Sequence, residues 1–323
     1  MSSDFWKGKK ILITGHEGFL GSWLTKTLLG RGARVIGLDK VKNRPVSALK
    51  GLRKDILCIK GDVSNLSLVN KVIKKYRPQF IFHLAAEAIV GEANKNPVGA
   101  FKSNIEGTWN VLEASRGKKF IRAIVAASSD KAYGSHEKLP YSESAALKGA
   151  HPYDASKSCA DILAYTYFNT YRVPVCVTRC GNIYGGGDFH YSRLVPDAMR
   201  CAITGKTLLI RSDGKFIRDY IYVGDIVRAY ILLAEKMVKR GIYGEAFNFS
   251  NERPLSVLAL VKKIYRIAGR KPDYRILGKA KYEIKRQTLS AKKARRILGW
   301  SPAYSLEEGL EPTMEWYREV FKK

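Results

Sequence analysis

A glycine-rich turn near the N-terminus constrains the fold of this chain more than any other feature. Gly15, Gly18 and Gly21 are spaced three residues apart and follow the apolar segment 10–14, which we predict to be a buried strand. Residues 19–30 are then predicted to form a helix. A strand, a glycine turn and a helix in this order are typical of a site where backbone amides approach a pyrophosphate. The pattern therefore predicts a dinucleotide-binding unit at the start of the chain.

Apolar segments and helical segments alternate after this turn. Strands are predicted at 34–38, 56–59, 80–84, 121–127 and 175–178, and helices at 66–75, 100–116 and 153–171. Such alternation forms right-handed βαβ units and a parallel sheet. The pattern loosens after residue 180, where shorter helices are predicted at 195–204, 223–236 and 256–269.

The predicted fold class is therefore α/β, with a Rossmann-type doubly wound parallel sheet and a smaller C-terminal substrate-binding lobe. Residues 1–180 are assigned to the dinucleotide-binding Rossmann domain, which also carries the candidate catalytic residues. Residues 181–323 are assigned mainly to the substrate-binding lobe. We expect the two parts to interleave at the sheet, because such lobes often do so.

The composition narrows the class of protein. A chain of 323 residues with 46% apolar content is long enough to bury a large core. The net charge of +28 would suit a nucleic-acid or membrane partner, but the basic residues are spread along the chain. They lack the interleaved aromatic residues of RNA-binding segments. We therefore expect a cationic surface that partly serves a phosphate-bearing substrate, and no specific nucleic-acid partner.

The sequence also bears on location and on metal binding. No run of 18 apolar residues is present and the first ten residues are polar and basic, so neither a membrane span nor a signal peptide is expected. No cluster has metal-ligand spacing, and no metal site is predicted. The cysteines form no C-x-x-C pair and are expected to be reduced thiols of a cytoplasmic protein. They are Cys58, Cys159, Cys176, Cys180 and Cys201.

Asp39 ends the second predicted strand and bears on the choice of cofactor. A carboxylate at this position accepts the adenosine-ribose hydroxyls and repels a 2′-phosphate, which favours NAD over NADP. Lys40, Lys42 and Arg44 follow it and are able to hold a 2′-phosphate, so NADP stays open. Further cofactor contacts are predicted within the glycine turn and after the third and fourth strands. These residues are Phe19, Leu20, Asp62, Val63, Leu84, Ala85 and Ala86.

A hydroxyl, a phenol and an ammonium group follow the fifth predicted strand. Tyr153 and Lys157 are four residues apart on a predicted helix and therefore share one face. A tyrosine of ordinary pKa near 10 is a poor base, but a neighbouring ammonium favours its phenolate. Tyr153 is predicted to remove the proton of a substrate hydroxyl, with Ser129 hydrogen-bonded to the reacting oxygen. Asp130, beside Ser129, indicates chemistry beyond hydride transfer.

These motifs resemble those of the extended short-chain dehydrogenase/reductases that act on nucleotide sugars. The resemblance runs through TGHEGFLG, HLAAE, SNIEGTWN, SSDKAYG, YDASK, RCGNIYGGGD, IRDYIYV and LGWSPAYSLEEGL. Within that family, SSDKAYG, GNIYGGGD and the run Arg193-Leu194-Val195-Pro196 are most similar to the CDP-glucose 4,6-dehydratase branch. The resemblance implies NAD retained through the cycle, Asn104 among the cofactor contacts, and a homodimer formed through residues 100–116 and 153–171.

The resemblance further implies a reaction in three stages on an NDP-hexose. C4 is oxidised by Tyr153, Lys157 and Ser129, water is lost across C5 and C6 with Asp130 as the acid, and hydride returns to C6. Many relatives carry a Glu as the C5 base where this chain has Lys131. That lysine is either the base or an electrostatic stabiliser of the enolate. Asn182, Arg193 and Arg218 are the positions expected to grip the substrate nucleotide.

Three other functions stay open at this point. An NAD-dependent NDP-sugar 4-epimerase would use the same tyrosine, lysine and serine but needs no acid for water loss, so Asp130 favours the dehydratase. A UDP-glucuronate decarboxylase and a non-catalytic NAD- or RNA-binding protein are weaker alternatives. The intact catalytic set argues against the last of these. The nucleotide base and the sugar are not fixed by the sequence.

Overall fold

The buried apolar segments pair side by side into one large parallel sheet. A computed structural model of the chain describes residues 3–44, 47–280 and 283–321. Its strands are β1 (Lys10–Thr14), β2 (Arg34–Asp39), β3 (Ile56–Lys60), β4 (Phe80–His83), β5 (Ala123–Ala127), β6 (Val175–Cys180), β7 (Asn182–Tyr184), β8 (Leu208–Ile210), β9 (Ile217–Arg218), β10 (Tyr220–Tyr222), β11 (Ala246–Phe249), β12 (Leu255–Ser256) and β13 (Tyr274–Ile276).

The order of strands in the sheet places the ligand cleft. Seven strands run in the order β11-β6-β5-β4-β1-β2-β3, and every neighbouring pair is parallel. The chain moves outward one way from β1 to β3 and the other way from β4 to β6. The direction therefore reverses between β1 and β4, and ligands bind outside the carboxyl ends of the strands at such a point.

Helices cover both faces of the sheet. They are α1 (Phe19–Leu29), α2 (Leu66–Tyr76), α3 (Val90–Lys95), α4 (Pro97–Phe101), α5 (Gly107–Ser115), α6 (Pro152–Tyr171), α7 (Leu194–Thr204), α8 (Val223–Arg240), α9 (Val257–Ala268) and α10 (Leu306–Phe321). Ile11 and Ile13 of β1 share one apolar core with residues of α1 and α8, whereas Leu12 shares another with residues of α2 and α5. Alternate strand residues thus face opposite helical layers. The predicted doubly wound α/β fold is confirmed.

The C-terminal part of the chain contributes to this sheet as well as to a separate layer. β11 pairs with β6 at the sheet edge, and α8 packs against β5 and β6. Strand β7 follows directly on β6 and pairs with β10, while α7, α9 and α10 pack against one another. Strand β11 and helix α10 are elements that the periodicity did not predict.

One predicted helix is interrupted in the structure. Residues 97–115 are helical in three pieces, with a π-helical turn at Lys102–Glu106 between α4 and α5. A Cβ atom on Gly107 would lie 2.6 Å from Val63 Cγ2, so this glycine lets the helical segment approach the residues after β3. Elsewhere the predicted bounds agree to within a few residues. Within the described residues, no helix has both the length and the apolar character that a membrane crossing requires.

Candidate active site

The glycine turn has the close contacts that a phosphate cradle requires. Gly15 has φ +73°, and a Cβ atom on it would lie 2.9 Å from the amide nitrogen of Ala85. A Cβ atom on Gly21 would lie 2.0 Å from the carbonyl oxygen of Gly15. Gly18 precedes α1 and offers no side-chain cap to the first turn, which holds Phe19 and Leu20. The uncapped amides of a helix start favour an anion, so these residues fit a dinucleotide pyrophosphate.

The carboxylate of Asp39 is fixed beside this turn. Its Oδ2 atom accepts the backbone N–H of Glu17 at 3.0 Å, and its Oδ1 atom accepts that of Val41 at 3.0 Å. Lys40 forms a 3.0 Å ion pair with Asp62 and donates to Ser103, also at 3.0 Å. The first basic residue after Asp39 is therefore paired with a carboxylate, which supports NAD rather than NADP.

A clamp that the sequence analysis did not single out holds the loop after Asp39. Glu17 is buried within the glycine turn and accepts two hydrogen bonds from Arg53, at 3.0 and 3.1 Å. It also accepts the backbone N–H groups of Asn43 and Arg44, each at 3.2 Å. Burial alone would raise the pKa of Glu17, but these donors lower it. The sequence did contain a signal for this clamp, because Glu17 is a charged residue between Gly15 and Gly18 of the glycine turn.

A buried hydrogen-bond network holds the residues that follow β4. Thr14 Oγ1 accepts the backbone N–H groups of Leu84 at 3.1 Å and Ala85 at 3.2 Å, and lies 2.8 Å from His83 Nδ1. His83 Nε2 lies 3.1 Å from Thr108 Oγ1. Burial lowers the pKa of His83 to about 3, so it is a neutral structural residue. Ala86 continues the same segment.

Asn104 and Val63 are buried residues among the predicted cofactor contacts. Asn104 is buried, accepts the backbone N–H of Glu87 at 2.7 Å and donates to Ser156 Oγ at 2.8 Å. It therefore ties the segment after β4 to α6. Val63 is buried, and its carbonyl accepts a 3.0 Å hydrogen bond from the side chain of Asn110. Both residues hold the shape of the predicted cofactor site.

The candidate catalytic residues come together at the carboxyl end of β5. Ser129 caps a short 3₁₀ turn, accepting the backbone N–H of Lys131 at 3.2 Å and donating to Asp130 Oδ1 at 3.1 Å. Tyr153, in the first turn of α6, lies close enough to Ser129 for the serine to influence its proton affinity. Lys157, one turn further along α6, donates from Nζ to the carbonyl of Ala127 at 2.9 Å. The end of β5 and the start of α6 thus bring together the five candidate catalytic residues, which are Ser129, Asp130, Lys131, Tyr153 and Lys157.

Burial sets the proton affinity of the tyrosine and its lysine. Burial raises the pKa of Tyr153 to about 12, against the opposing effects of Ser129 and Arg193. Burial lowers the pKa of Lys157 to about 8, against the opposing effect of Asp161. Near neutral pH the phenol therefore keeps its proton while the lysine is still mostly charged. Proton transfer through Tyr153 depends on positive charge close to the phenolate.

The proton affinities of Asp130 and Lys131 are shifted in opposite directions. Asp130 is 4% exposed, and its Oδ2 atom has no hydrogen-bond partner in the described part of the chain. Burial raises its pKa, although Lys131 and Arg218 oppose this. Burial lowers the pKa of Lys131, although Asp130 opposes this. Two neighbouring groups thus have pKa values shifted in opposite directions, that of the carboxyl upward and that of the amine downward.

The three candidate substrate residues flank this cluster. Asn182 donates its backbone N–H to Asp219 at 2.8 Å, and its side-chain nitrogen has no partner within the described ranges. Arg218 is buried and acts electrostatically on Asp130. Arg193 pairs with Asp188 at 2.8 Å and acts electrostatically on Tyr153. Both guanidinium groups therefore lie near the reacting centre.

Several buried polar groups beside this cluster escaped the sequence analysis. Each has one side-chain atom without a hydrogen-bond partner among the residues that the structure describes: Asp154 Oδ1, Asp219 Oδ1 and Gln287 Nε2. Burial raises the pKa of Asp219 to about 7, although a hydrogen bond from Ser250 opposes this. Asp154 follows Tyr153 directly, so its position was a usable signal. Gln287 lies in an irregular C-terminal segment and carries no such signal.

The described chain contains no group of three or more His, Cys, Asp or Glu side chains placed to hold a metal ion.

A sequence model described as the NAD dependent epimerase/dehydratase family matches residues 11–248. The chain belongs to this family. It is therefore an enzyme, and its cofactor is NAD, as the glycine turn and Asp39 predicted. The predicted resemblance to the extended dehydrogenase/reductases of nucleotide sugars is confirmed.

Similar family members include dehydratases and epimerases. The chain is 29% identical to a CDP-glucose 4,6-dehydratase of Salmonella typhimurium, over 98% of this chain and 93% of that protein. It is 30% identical to a dTDP-glucose 4,6-dehydratase of Neisseria gonorrhoeae, over 96% of each.

Solved structures of the family show the same division. A UDP-glucose 4-epimerase of Thermotoga maritima superimposes with a TM-score of 0.88 at 30% identity, covering 97% of this chain and 99% of that one. A dTDP-glucose 4,6-dehydratase of Bacillus anthracis, crystallised with NAD, gives 0.85 at 28% identity and covers 98% of both chains. The fold alone therefore does not separate the two reactions.

Proposed function

We propose that this enzyme is an NDP-hexose 4,6-dehydratase, with a CDP-glucose type substrate favoured. The observation that carries the proposal is the buried carboxyl of Asp130, whose Oδ2 atom has no partner in the described chain. Ser129 donates a hydrogen bond to Asp130 Oδ1 at 3.1 Å and influences the proton affinity of Tyr153, so the carboxyl adjoins the C4 machinery. A second acidic group beside the C4 machinery suits the loss of the C6 hydroxyl. The dehydratases among the relatives support this assignment.

In the first stage the residues of this chain act on the C4 hydroxyl. Positive charge from Lys157 and from NAD, when bound, would favour the phenolate of Tyr153, which accepts the hydroxyl proton while Ser129 holds the same oxygen by a hydrogen bond. Lys157 stabilises the phenolate by its charge and binds the nicotinamide ribose. NAD, when bound, supplies the hydride acceptor for C4 and the hydride donor for C6. The 4-keto group formed in this way acidifies the C5 proton.

In the second stage Asp130 and Lys131 act on C5 and C6. The amine of Lys131 accepts the C5 proton, and Asp130 gives its proton to the departing C6 hydroxyl, which leaves as water. The directions of their pKa shifts support these roles, because burial favours the neutral amine and the protonated carboxyl. Lys131 as base is preferred to Lys131 as enolate stabiliser because its Nζ atom donates to the neutral amide of Gln287 at 3.0 Å, and because its pKa is lowered.

The remaining assignments concern substrate binding. Arg193 and Arg218 are proposed to hold the diphosphate, since a guanidinium binds phosphate oxygens in pairs. Asn182 is proposed to donate its free side-chain N–H to the substrate. The assignment of cofactor binding to residues 1–180 and mainly of substrate binding to residues 181–323 stays a prediction. A cytoplasmic location also stays a prediction.

A panel of NDP-hexoses with different bases, followed by product mass, tests the function directly. We expect one of them to lose one water and to form a 4-keto-6-deoxy sugar, with no external reductant added to the assay. The second candidate is a 4-epimerase, which the similar fold of the Thermotoga maritima enzyme supports. An epimerase yields a product of unchanged mass, and that outcome with every substrate offered would refute the dehydratase proposal.

We expect the enzyme to bind NAD more tightly than NADP, and Asp39→Asn to narrow the difference by roughly tenfold, about 1.4 kcal/mol. Asparagine keeps a side-chain oxygen at this position, so the change mainly removes the charge that repels a 2′-phosphate. Titration calorimetry on the cofactor-stripped protein measures both affinities. The exposed residue Asp55 provides the control variant Asp55→Asn. Equal affinities in the parent enzyme would contradict the prediction.

We propose that the enzyme is a homodimer. The helices predicted to form the dimer expose large apolar side chains: Val98, Phe101 and Trp109 on residues 97–115, and Ile162 and Tyr165 on α6. The two helical segments pack against each other, so these side chains share one side of the molecule. An exposed apolar patch of this kind is typical of a protein–protein interface.

Light scattering after size exclusion tests this arrangement with a matched pair of variants. Ile162 on α6 and Leu209 on β8 are both 53% exposed, but only Ile162 lies on the proposed interface. Ile162→Asp is expected to give the monomer mass, because a carboxylate cannot be buried without a partner. Leu209→Asp is expected to remain dimeric. A monomeric parent protein, or equal behaviour of the two variants, would contradict the interface.

A further inference from the structure

The side chain of Lys131 ends on a neutral amide rather than on a carboxylate. Its Nζ atom donates a hydrogen bond to Gln287 Oε1 at 3.0 Å. Among the described residues no carboxylate lies within ion-pair distance of this ammonium. Gln287 is fully buried. The contact is therefore a specific pairing, buried on the side of the glutamine and half-buried at Lys131, between residues 156 positions apart.

The backbone holds Gln287 firmly against the substrate side of the cluster. Its N–H donates to the carbonyl of Ile217 at 3.1 Å, and the N–H of Ile217 donates to Lys285 at 2.9 Å. The next residue, Thr288, accepts the N–H of Tyr141 at 2.8 Å. The segment is thus fixed between β9, which carries Arg218, and the loop that follows the catalytic 3₁₀ turn. The acceptor for Lys131 has a defined position.

A neutral acceptor suits a lysine that must lose its proton. The amide oxygen can accept a hydrogen bond from an amine in either protonation state. A carboxylate at the same place would stabilise the ammonium by a charge–charge interaction and oppose its deprotonation. The other end of the amide, Gln287 Nε2, is buried and has no hydrogen-bond partner in the described ranges. A hydroxyl of the sugar would supply the acceptor that this donor lacks.

We propose that Gln287 is the positioning residue that aims Lys131 at C5 and donates its free amide N–H to the sugar. This inference rests on the proposed dehydratase function. The C5–H bond breaks and the proton passes to Lys131 Nζ. The electron pair forms the C5=C6 bond as the C6–O bond breaks, and the proton of Asp130 leaves with the hydroxyl as water. Gln287 itself exchanges no proton.

Two partial reactions of the holoenzyme test the proposal with the NDP-hexose identified by the panel. C4 oxidation is followed by the absorbance of the reduced cofactor in a single turnover, and C5 deprotonation by deuterium incorporation from heavy water. In Gln287→Leu, deuterium incorporation is expected to fall roughly 10²-fold, the cost of a misplaced catalytic group. C4 oxidation should stay within about twofold of the parent, because Tyr153 and Ser129 are untouched. Gln79→Leu, at a partly exposed contact with Lys10, is the control.

The isosteric variant Gln287→Glu gives a readout that a merely structural role would not move. Asp130, Asp154 and Glu283 already favour the ammonium form of Lys131, and Arg218 opposes it. A further carboxylate in direct contact should hold the proton more strongly, so the rise of C5 exchange with pH should move upward by about 1–3 pH units. Trace acetylation of Lys131 in the ligand-free holoenzyme, followed by mass spectrometry across pH, should show the same displacement.

Three outcomes would overturn the role of Gln287. The first is C5 exchange at the parental rate in Gln287→Leu. The second is a loss of C4 oxidation in Gln287→Leu that equals its loss of C5 exchange. The third is a pH profile of C5 exchange in Gln287→Glu that coincides with that of the parent. Failure of the function itself is a different result. It requires a parent enzyme that neither loses water nor exchanges C5, whatever stands at position 287.

Discussion

The variant Tyr153→Phe is expected to have no detectable turnover of any nucleotide sugar. The phenol is the proton acceptor proposed for the first stage, and general acid–base catalysis by one side chain contributes roughly 10²–10⁴-fold. Every later stage needs the 4-keto sugar, so no other route restores product. Phenylalanine keeps the ring that packs at the start of α6, and nucleotide binding should change little. Steady-state rates and calorimetric titration of the substrate nucleotide provide the two measurements.

A tyrosine near the C-terminal helix supplies the control for this variant. Tyr304 is 40% exposed and belongs neither to the candidate site nor to the proposed dimer interface. Tyr304→Phe should therefore keep the parental rate. Activity of Tyr153→Phe close to that of the parent would show that the wrong base had been named.

The variant Asp130→Asn is expected to separate oxidation from water loss. Ser129, Tyr153 and Lys157 remain, so C4 oxidation should proceed, while loss of the C6 hydroxyl slows by roughly 10²–10⁴-fold without its acid. Reduced cofactor should then accumulate in a single turnover and be visible by its absorbance. Asparagine matches the shape of the carboxyl and can still accept the hydrogen bond from Ser129. Asp213→Asn, at an exposed turn, is the control.

The pH dependence of water loss gives an independent test of the same residue. An acid acts in its protonated form, so the rate of this step is highest below the pKa of Asp130 and falls as the pH rises through it. Burial raises that pKa, and the fall should come at a higher pH than for an ordinary carboxyl. In Asp130→Asn this fall should be absent. In an epimerase, Asp130→Asn should instead leave the exchange of C4 epimers mostly intact and release no water.

The central sheet was accessible to sequence reasoning because its strands are buried on both faces. Such strands appear as continuous apolar segments, and the predicted bounds of β1 are those of the structure. Strand β11 was missed, since four residues at the sheet edge give little pattern until β6 is present to pair with them. The predicted helix 100–116 was right in type but not in continuity, because the close approach of Gly107 to Val63 is a tertiary contact.

The candidate site divides in the same way. Cradle glycines and the Tyr153–Lys157 spacing are local features, and their consequences follow from sterics and from the period of a helix. The clamp of Glu17 by Arg53 spans 36 residues, and the contact of Lys131 with Gln287 spans 156. No local sequence pattern predicts contacts between residues so far apart in the chain.

The sequence by itself determined the family, the cofactor cradle and which functional groups are available, because these depend on residue types at short spacings. Only the tertiary structure decided how those groups behave. The burial of Asp130, the partial burial of Lys131 and the neutral amide that contacts this lysine all depend on segments distant in sequence, among them the segment around Gln287. Proton affinity depends on solvent exclusion and on neighbouring charges, and both are properties of the folded chain.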